Sequence, residues 1–434
     1  MQRSRKPSAR SLALVALLAL ALAACAERVD RPAPGGPTVR NDAAASRDPS
    51  CVASLRFDQS RTARPASRFP GAAWRVDGEL PVTAPVVSGS MVYGGTSGIL
   101  PGQGCVFAAE AHTGRLRWAA EGGISPGTPP LAAGALVVTA LDGGDLVARD
   151  GREGTARWVI ETGGFWQAGP VLQGDTLYAA PDSGVLAVDP RTGRLRWRVR
   201  GPVGAMVAER DAVLVSWAGP SEAVTAALDP VTGRQRWRAS VGATDAVVVA
   251  RTGGTVVLRS SAGTLYGLGF SNGRRLWRLD VADGGSTPVA AARGRLLFRA
   301  GDGDAYAVDA RTGKVAWRTA VGFGDHREAP AVDGSSLYVG GSSALASYFW
   351  ALDLGTGRVR WRLATESPVE TQPCVQGDLV LLGDDDGWVY AVDRRSGRLR
   401  ARYAAGGGVD RTLAVAGRWV FARVDATGLV GVPL

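Results

Sequence analysis

Tryptophans at Trp74, Trp118, Trp158, Trp197, Trp237, Trp277, Trp317 and Trp361 stand 44, 40, 39, 40, 40, 40 and 44 residues apart. One further step of 40 reaches Ala401, inside RRSGRLRARY, where the surrounding pattern persists without the tryptophan. A period near 40 built from short strands is the mark of a propeller or related solenoid, whose units bury their apolar faces only by stacking on one another. The 59 glycines punctuate these units, and the single long apolar run lies near the start of the chain, which favours a glycine-turned β body over a membrane bundle.

Within the unit PVLQGDTLYAAPDSGVLAVDPRTGRLRWRV, four strand-length runs are separated by polar turns at Gly174–Asp175, Asp182–Gly184 and Thr192–Gly193. In GRLRWRV the side chains alternate. Leu195, Trp197 and Val199 share one face, and Arg194, Arg196 and Arg198 share the other. The apolar set packs between sheets, whereas the arginines must reach solvent or pair. A closed ring leaves no terminal sheet bare, and polar capping repeats, which a linear stack requires, are missing from the sequence.

Aligning the units on tryptophan brings a carboxylate into register eight residues earlier, at Glu110, Asp150, Asp189, Asp229, Asp309, Asp353 and Asp393, with Gly269 as the exception. Four residues before the tryptophan stands a glycine in every unit: Gly114, Gly154, Gly193, Gly233, Gly273, Gly313, Gly357 and Gly397. Glycine tolerates the positive φ of a tight turn and aspartate accepts amide hydrogens across it, so the carboxylates read as turn staples rather than a catalytic set. The tryptophan reads as an inter-sheet plate with an indole donor.

AVDPRTGRLRW, AVDARTGKVAW, ALDLGTGRVRW and ALDPVTGRQRW resemble the tryptophan-docking repeat of the PQQ-like β-propeller family, which includes quinoprotein dehydrogenases and BamB-type envelope lipoproteins. The resemblance covers about residues 72 to 403, with a weaker tail to 434. It implies an all-β propeller of four-stranded antiparallel blades, eight in number, whereas a literal count of units gives nine. AAWRV, preceding any complete unit, is expected to complete the C-terminal sheet and clasp the ring.

For function the resemblance implies two classes. One is a PQQ-dependent dehydrogenase, in which calcium polarises the quinone and acidic residues converge near the axis. Family enzymes resemble larger chains with long insertions and an adjacent cysteine pair; this chain has neither, so neither PQQ nor calcium is expected as a cofactor. The acidic candidates Asp142, Asp145, Asp302 and Asp304 fall in Asp-Gly hairpin turns, and Asp384, Asp385 and Asp386 form the one weak metal candidate. No GxSxG or HExxH motif occurs, and His112 and His326 are isolated, so no catalytic residue is assigned. The other class, which we favour, is a non-enzymatic scaffold binding a cell-envelope protein or peptide. A carbohydrate-binding propeller is a further alternative. The candidate interaction surface of the scaffold comprises Phe165, Trp166, Phe323, Tyr348, Phe349, Trp350 and Trp388, in the turns and insertions where the repeat breaks.

The first 24 residues read as a lipoprotein signal: a basic start, an apolar run from Leu12 to Ala24 too short for a permanent span, and the lipobox Leu22-Ala23-Ala24-Cys25. Lipid on Cys25 would anchor the mature chain to the outer face of the bacterial cell membrane. Residues 25–70, rich in Pro, Ala, Ser and Arg, read as a tether, and residues 71–434 as one propeller domain. The net charge of +10 becomes +6 once the four cations of the signal are removed. The remaining arginines are scattered along strands without interleaved aromatic clusters, which argues against nucleic-acid binding. Cys51, Cys105 and Cys374 permit one disulfide, its pairing undecided by sequence.

Overall fold

The computed structural model describes residues 29–30, 55–58, 74–78 and 82–434, apart from 98–103, 126–127, 220, 282–287, 323–328, 344–345, 370 and 426–427. Among these residues all regular structure is β-strand. The strands form nine sheets, each with a core of four strands in up-and-down order. Eight blades are continuous in sequence, with outer strands Leu116–Glu121, Ala156–Glu161, Leu195–Arg200, Gln235–Ser240, Arg275–Leu279, Val315–Ala320, Val359–Thr365 and Leu399–Ala404. The ninth is composite: Val409–Ala416, Trp419–Val424 and Gly428–Pro433 supply three strands, and Trp74–Gly78 pairs antiparallel with the last of them, Trp74 opposite Gly431. Nine blades therefore replace the eight that the resemblance implied, because the pattern around Ala401 still builds a full sheet and the composite sheet adds one more.

Each docking tryptophan closes one junction of the ring. The indole N–H donates at 2.6–3.0 Å to a carbonyl on the next blade: Trp118 to Gly151, Trp158 to Pro190, Trp197 to Pro230, Trp237 to Phe270, Trp277 to Ala310, Trp317 to Leu354 and Trp361 to Arg394. Trp74 of blade 9 donates to Ala111 of blade 1, completing the circle. The acceptor always lies in the turn between third and fourth strands, and the repeated glycine of that turn lies flat beneath the ring. Gly193 has φ +71°, and a Cβ added there would stand 2.6 Å from Trp158. The glycine thus meets two demands, a left-handed backbone and close approach of the indole.

The same geometry explains the missing tryptophan. Blade 9 draws its third and fourth strands from the two ends of the repeat region, so no turn joins them and an indole at position 401 would have no platform. Ala401 instead packs at the edge of an apolar cluster containing Tyr403, Val409, Val420 and Val430.

The carboxylates staple the turns. Asp189 Oδ1 accepts the N–H groups of Arg191 and Thr192, both at 3.0 Å, and equivalent pairs hold the turns at Asp150, Asp229, Asp353 and Asp393. The second oxygen takes the arginine that precedes the docking position: Arg157 on Asp150 at 2.8 Å, Arg236 on Asp229 at 2.7 Å, and Arg360 on Asp353 and Arg400 on Asp393 at 2.6 Å. These arginines hold Asp229 and Asp353 down to about 2, helped by the turn threonines, and Asp393 lower still. A depressed carboxyl contributes stability that is complete above the unfolded value, about 4, and is lost as pH falls through the folded one. Thermal melts should therefore hold down to about pH 4 and fall between there and pH 2. In Arg236→Gln with Arg360→Gln the melting temperature at neutral pH should fall, and the acid limb, still beginning near pH 4, should be shallower and end at higher pH; a limb of unchanged depth would show that the staples do not set it.

Because successive strands alternate in direction, the ring has two faces. The turn face carries the first-to-second and third-to-fourth turns; the loop face carries the second-to-third turns and the connections between blades. Cys105 is disulfide-bonded and Cys374 is a free, half-buried thiol, so the bridge does not join these two.

Candidate interaction surface

The third strand of blade 7, Ser347–Asp353, begins at the loop face and runs through the aromatic triplet. Period-two alternation divides it. Phe349 is 0% exposed and packs against Trp361, ring centroids 5.9 Å apart, so it belongs to the core between blades 7 and 8 and leaves the candidate surface. Tyr348 and Trp350 turn the other way, half-buried, with centroids 5.7 Å apart. Arg362, directly cross-strand from Trp350, lies over both rings at 5.0 and 5.5 Å.

Blade 8 repeats the arrangement. Trp388 opens the strand Trp388–Asp393 at the loop face, Arg402 lies 4.4 Å above its ring, and Arg402 pairs with Glu366 at 2.7 Å. Arg238 over Trp217 at 5.4 Å adds a further pair on blade 4, whereas Arg278 and Arg318 lie over Tyr266 and Tyr306, which are 5% and 6% exposed and belong to the core, so the arginine–aromatic surface is carried by blades 4, 7 and 8. Each arginine directly follows the docking position, so it projects from the side of the sheet opposite the docked indole. The sequence signal was present as an arginine after that position in six successive units, Arg198 to Arg402, but periodicity alone reads it as solvent decoration. Stacked guanidinium and aromatic groups, each contributing about 0.5–1 kcal/mol when exposed, form a pre-ordered surface of the residue types enriched at protein interfaces.

The remaining candidates separate. Trp166 is 6% exposed and packs between blades 2 and 3 with Leu146 and Leu177, so it is core, whereas its neighbour Phe165 is 66% exposed on the loop face, its N–H donated to Asp182. Cys25 and Phe323 lie outside the described residues.

The acidic turns are occupied by local partners. Asp384 is fully buried and accepts the Tyr390 hydroxyl at 2.7 Å and the Trp388 N–H at 2.8 Å, and burial raises its carboxyl above the ordinary value. Asp385 and Asp386 are exposed beside it. Asp302 accepts the Tyr306 hydroxyl at 2.5 Å, which together with burial pushes that phenol up to about 12, and Asp304 holds Arg318 at 2.6 Å. Among the described residues no three His, Cys, Asp or Glu side chains converge as a metal site. A cleft of about 390 Å³ on the turn face between blades 3 and 4 is lined by Tyr178, Val231 and Arg196, the last already held by Asp175 and Thr176.

Fold and surface together define a tryptophan-docked β-propeller with an arginine–aromatic loop face. The family model described as outer membrane protein assembly factor BamB matches residues 71–213, 181–292, 219–371 and 269–431, and the chain belongs to that family. No curated protein is significantly similar to it. Among solved structures, the computationally designed Ika8 protein is 16% identical with a TM-score of 0.54, covering 70% of this chain and 95% of its own. A quinohemoprotein alcohol dehydrogenase, ADHIIG from Pseudomonas putida HK5, is 13% identical with a TM-score of 0.51, covering 84% and 76%. BamB from Moraxella catarrhalis is 17% identical with a TM-score of 0.48, covering 86% and 100%. At these identities the likeness is one of fold.

Proposed function

We propose that the chain is a non-enzymatic, exported scaffold, held by lipid on Cys25 at the outer face of the bacterial cell membrane, whose loop face binds a cell-envelope protein or peptide. The observation that carries this reading is the arginine–aromatic surface of blades 7 and 8, where Arg362 lies over Tyr348 and Trp350 and Arg402 over Trp388, beside Asp384, whose carboxylate is committed to Tyr390 and Trp388. Membership of the BamB assembly-factor family supports a role among envelope proteins. Aromatic and arginine anchors supply most of the binding energy in protein interfaces without reacting groups.

A quinone-dependent dehydrogenase would need a cation and quinone held by converging carboxylates and amides, and among the described residues no three carboxylate, imidazole or thiol groups come together. The test is dye reduction by purified protein supplied with PQQ, calcium and a panel of alcohols and sugars. The expected result is no saturable turnover; cofactor-dependent turnover would overturn the scaffold reading.

A further inference from the structure

The third residue before each docking position is a cation in seven of the eight continuous blades, Thr155 of blade 2 being the exception. Its backbone is fixed by the staple turn: the carbonyls of Arg194, Arg234, Arg274, Lys314, Arg358 and Arg398 accept N–H groups of Asp189, Asp229, Gly269, Asp309, Asp353 and Asp393 at 2.8–2.9 Å. Six cations on six consecutive blades, 3 to 8, therefore leave the ring at one height, at the corner where the outer strand meets the turn face. All six are exposed, and none forms an ion pair among the described residues. On blades 4, 7 and 8 the staple carboxylates do not neutralise them, because their free oxygens already hold Arg236, Arg360 and Arg400, and on blade 5 Gly269 stands in place of the carboxylate. Arg115 of blade 1, by contrast, is paired with Glu110.

Apolar side chains accompany the cations. Val231, at the tip of the blade 4 turn, is 79% exposed, and Val315, Val359 and Leu399, each next to a cation of the row, are exposed as well. The loop face is mixed, with exposed Glu121, Glu222, Asp385, Asp386 and Asp425 beside exposed Arg200, Arg362 and Arg411, whereas exposed Asp175, Asp211 and Asp378 of the turn face are each paired with an arginine.

We propose that the turn face is a docking surface for an anionic lipid bilayer, laying the disc flat and turning the loop face away from the membrane. The row spans six blades in one plane, so the partner that meets all of it must spread its negative charge over a plane. A globular protein would reach one sector, and an added strand one or two blades. Apolar tips beside cations match the boundary between headgroups and acyl chains. The inference rests on the exported, tethered reading for its setting and on the turn face alone for its chemistry.

The test uses the full chain carrying Cys25→Ser, so that no acyl chain contributes, sedimented with vesicles of phosphatidylcholine alone or with a third phosphatidylglycerol. Binding is expected only to the anionic vesicles and should weaken steeply with salt. Arg234→Glu with Arg274→Glu should reduce it at least about 25-fold, from roughly fivefold per cation removed. Arg200→Glu with Arg411→Glu, an equal charge change at the loop face, should leave most of it. Absence of binding to anionic vesicles, equal loss in both variants, or binding to soluble polyphosphate but not to vesicles would overturn the proposal. Fractionation of cells expressing Cys25→Ser reports separately on the anchor: unchanged processing and membrane retention even when the turn-face pair is also reversed would refute lipidation while leaving the vesicle result untouched.

Discussion

Trp158→Ala should destabilise the propeller by roughly 3–5 kcal/mol, read as a shift of the urea midpoint. Trp158 is fully buried, its ring lies on Gly193 of the next blade, and its N–H satisfies Pro190. Truncation removes the packing, leaves a cavity between two sheets and orphans a carbonyl. Gly193→Ala should damage the same junction from the other side, by about 2–3 kcal/mol, through its positive φ and the collision with the indole. Since both changes act on one contact, the double variant should cost clearly less than their sum. Arg191→Ala, in the same turn but clear of the ring, should change little. Ala401→Trp should bring no gain, because blade 9 offers no docking turn; marked stabilisation there would contradict the account of why the tryptophan is missing.

Much of this architecture was legible in the sequence because a repeated local problem leaves a repeated residue. Trp197, Gly193 and Asp189 recur in register, and that register gives the ring, the turn and the staple. The clasp was legible too, since AAWRV stands ahead of any complete unit and the chain lacks a last tryptophan strand. The blade number was blurred by analogy: the count gave nine, the resemblance eight, and only the pairing of Trp74–Gly78 with Gly428–Pro433 settles it.

The interaction surface was legible only in part. A cluster such as Tyr348-Phe349-Trp350 advertises aromatic chemistry, but strand alternation sends its middle member to the core, and which parity faces inward depends on pairing. Trp166 looked like a loop residue and is core, because the inner strand of blade 3 begins there. Arg362 and Arg402 were visible as letters, yet their stacking follows from cross-strand register and from the bend of each blade, neither of which a single sequence displays.

The second large effect concerns the loop face itself. Trp388→Ala with Arg402→Ala removes an anchor and the cation stacked on it, and should weaken partner binding by roughly thirtyfold, equivalent to about 2 kcal/mol, without unfolding the ring. Phe349→Ala should instead lower stability, because that ring fills the junction of blades 7 and 8. The most direct measurement is crosslinking in living cells with a photo-reactive amino acid in place of Trp388, compared with one in place of Thr192 on the turn face. A scaffold should give a discrete adduct with one envelope protein from position 388, diminished by Arg362→Ala with Tyr348→Ala, and none with that protein from position 192. Adducts of equal yield from both faces, or none from position 388, would contradict it.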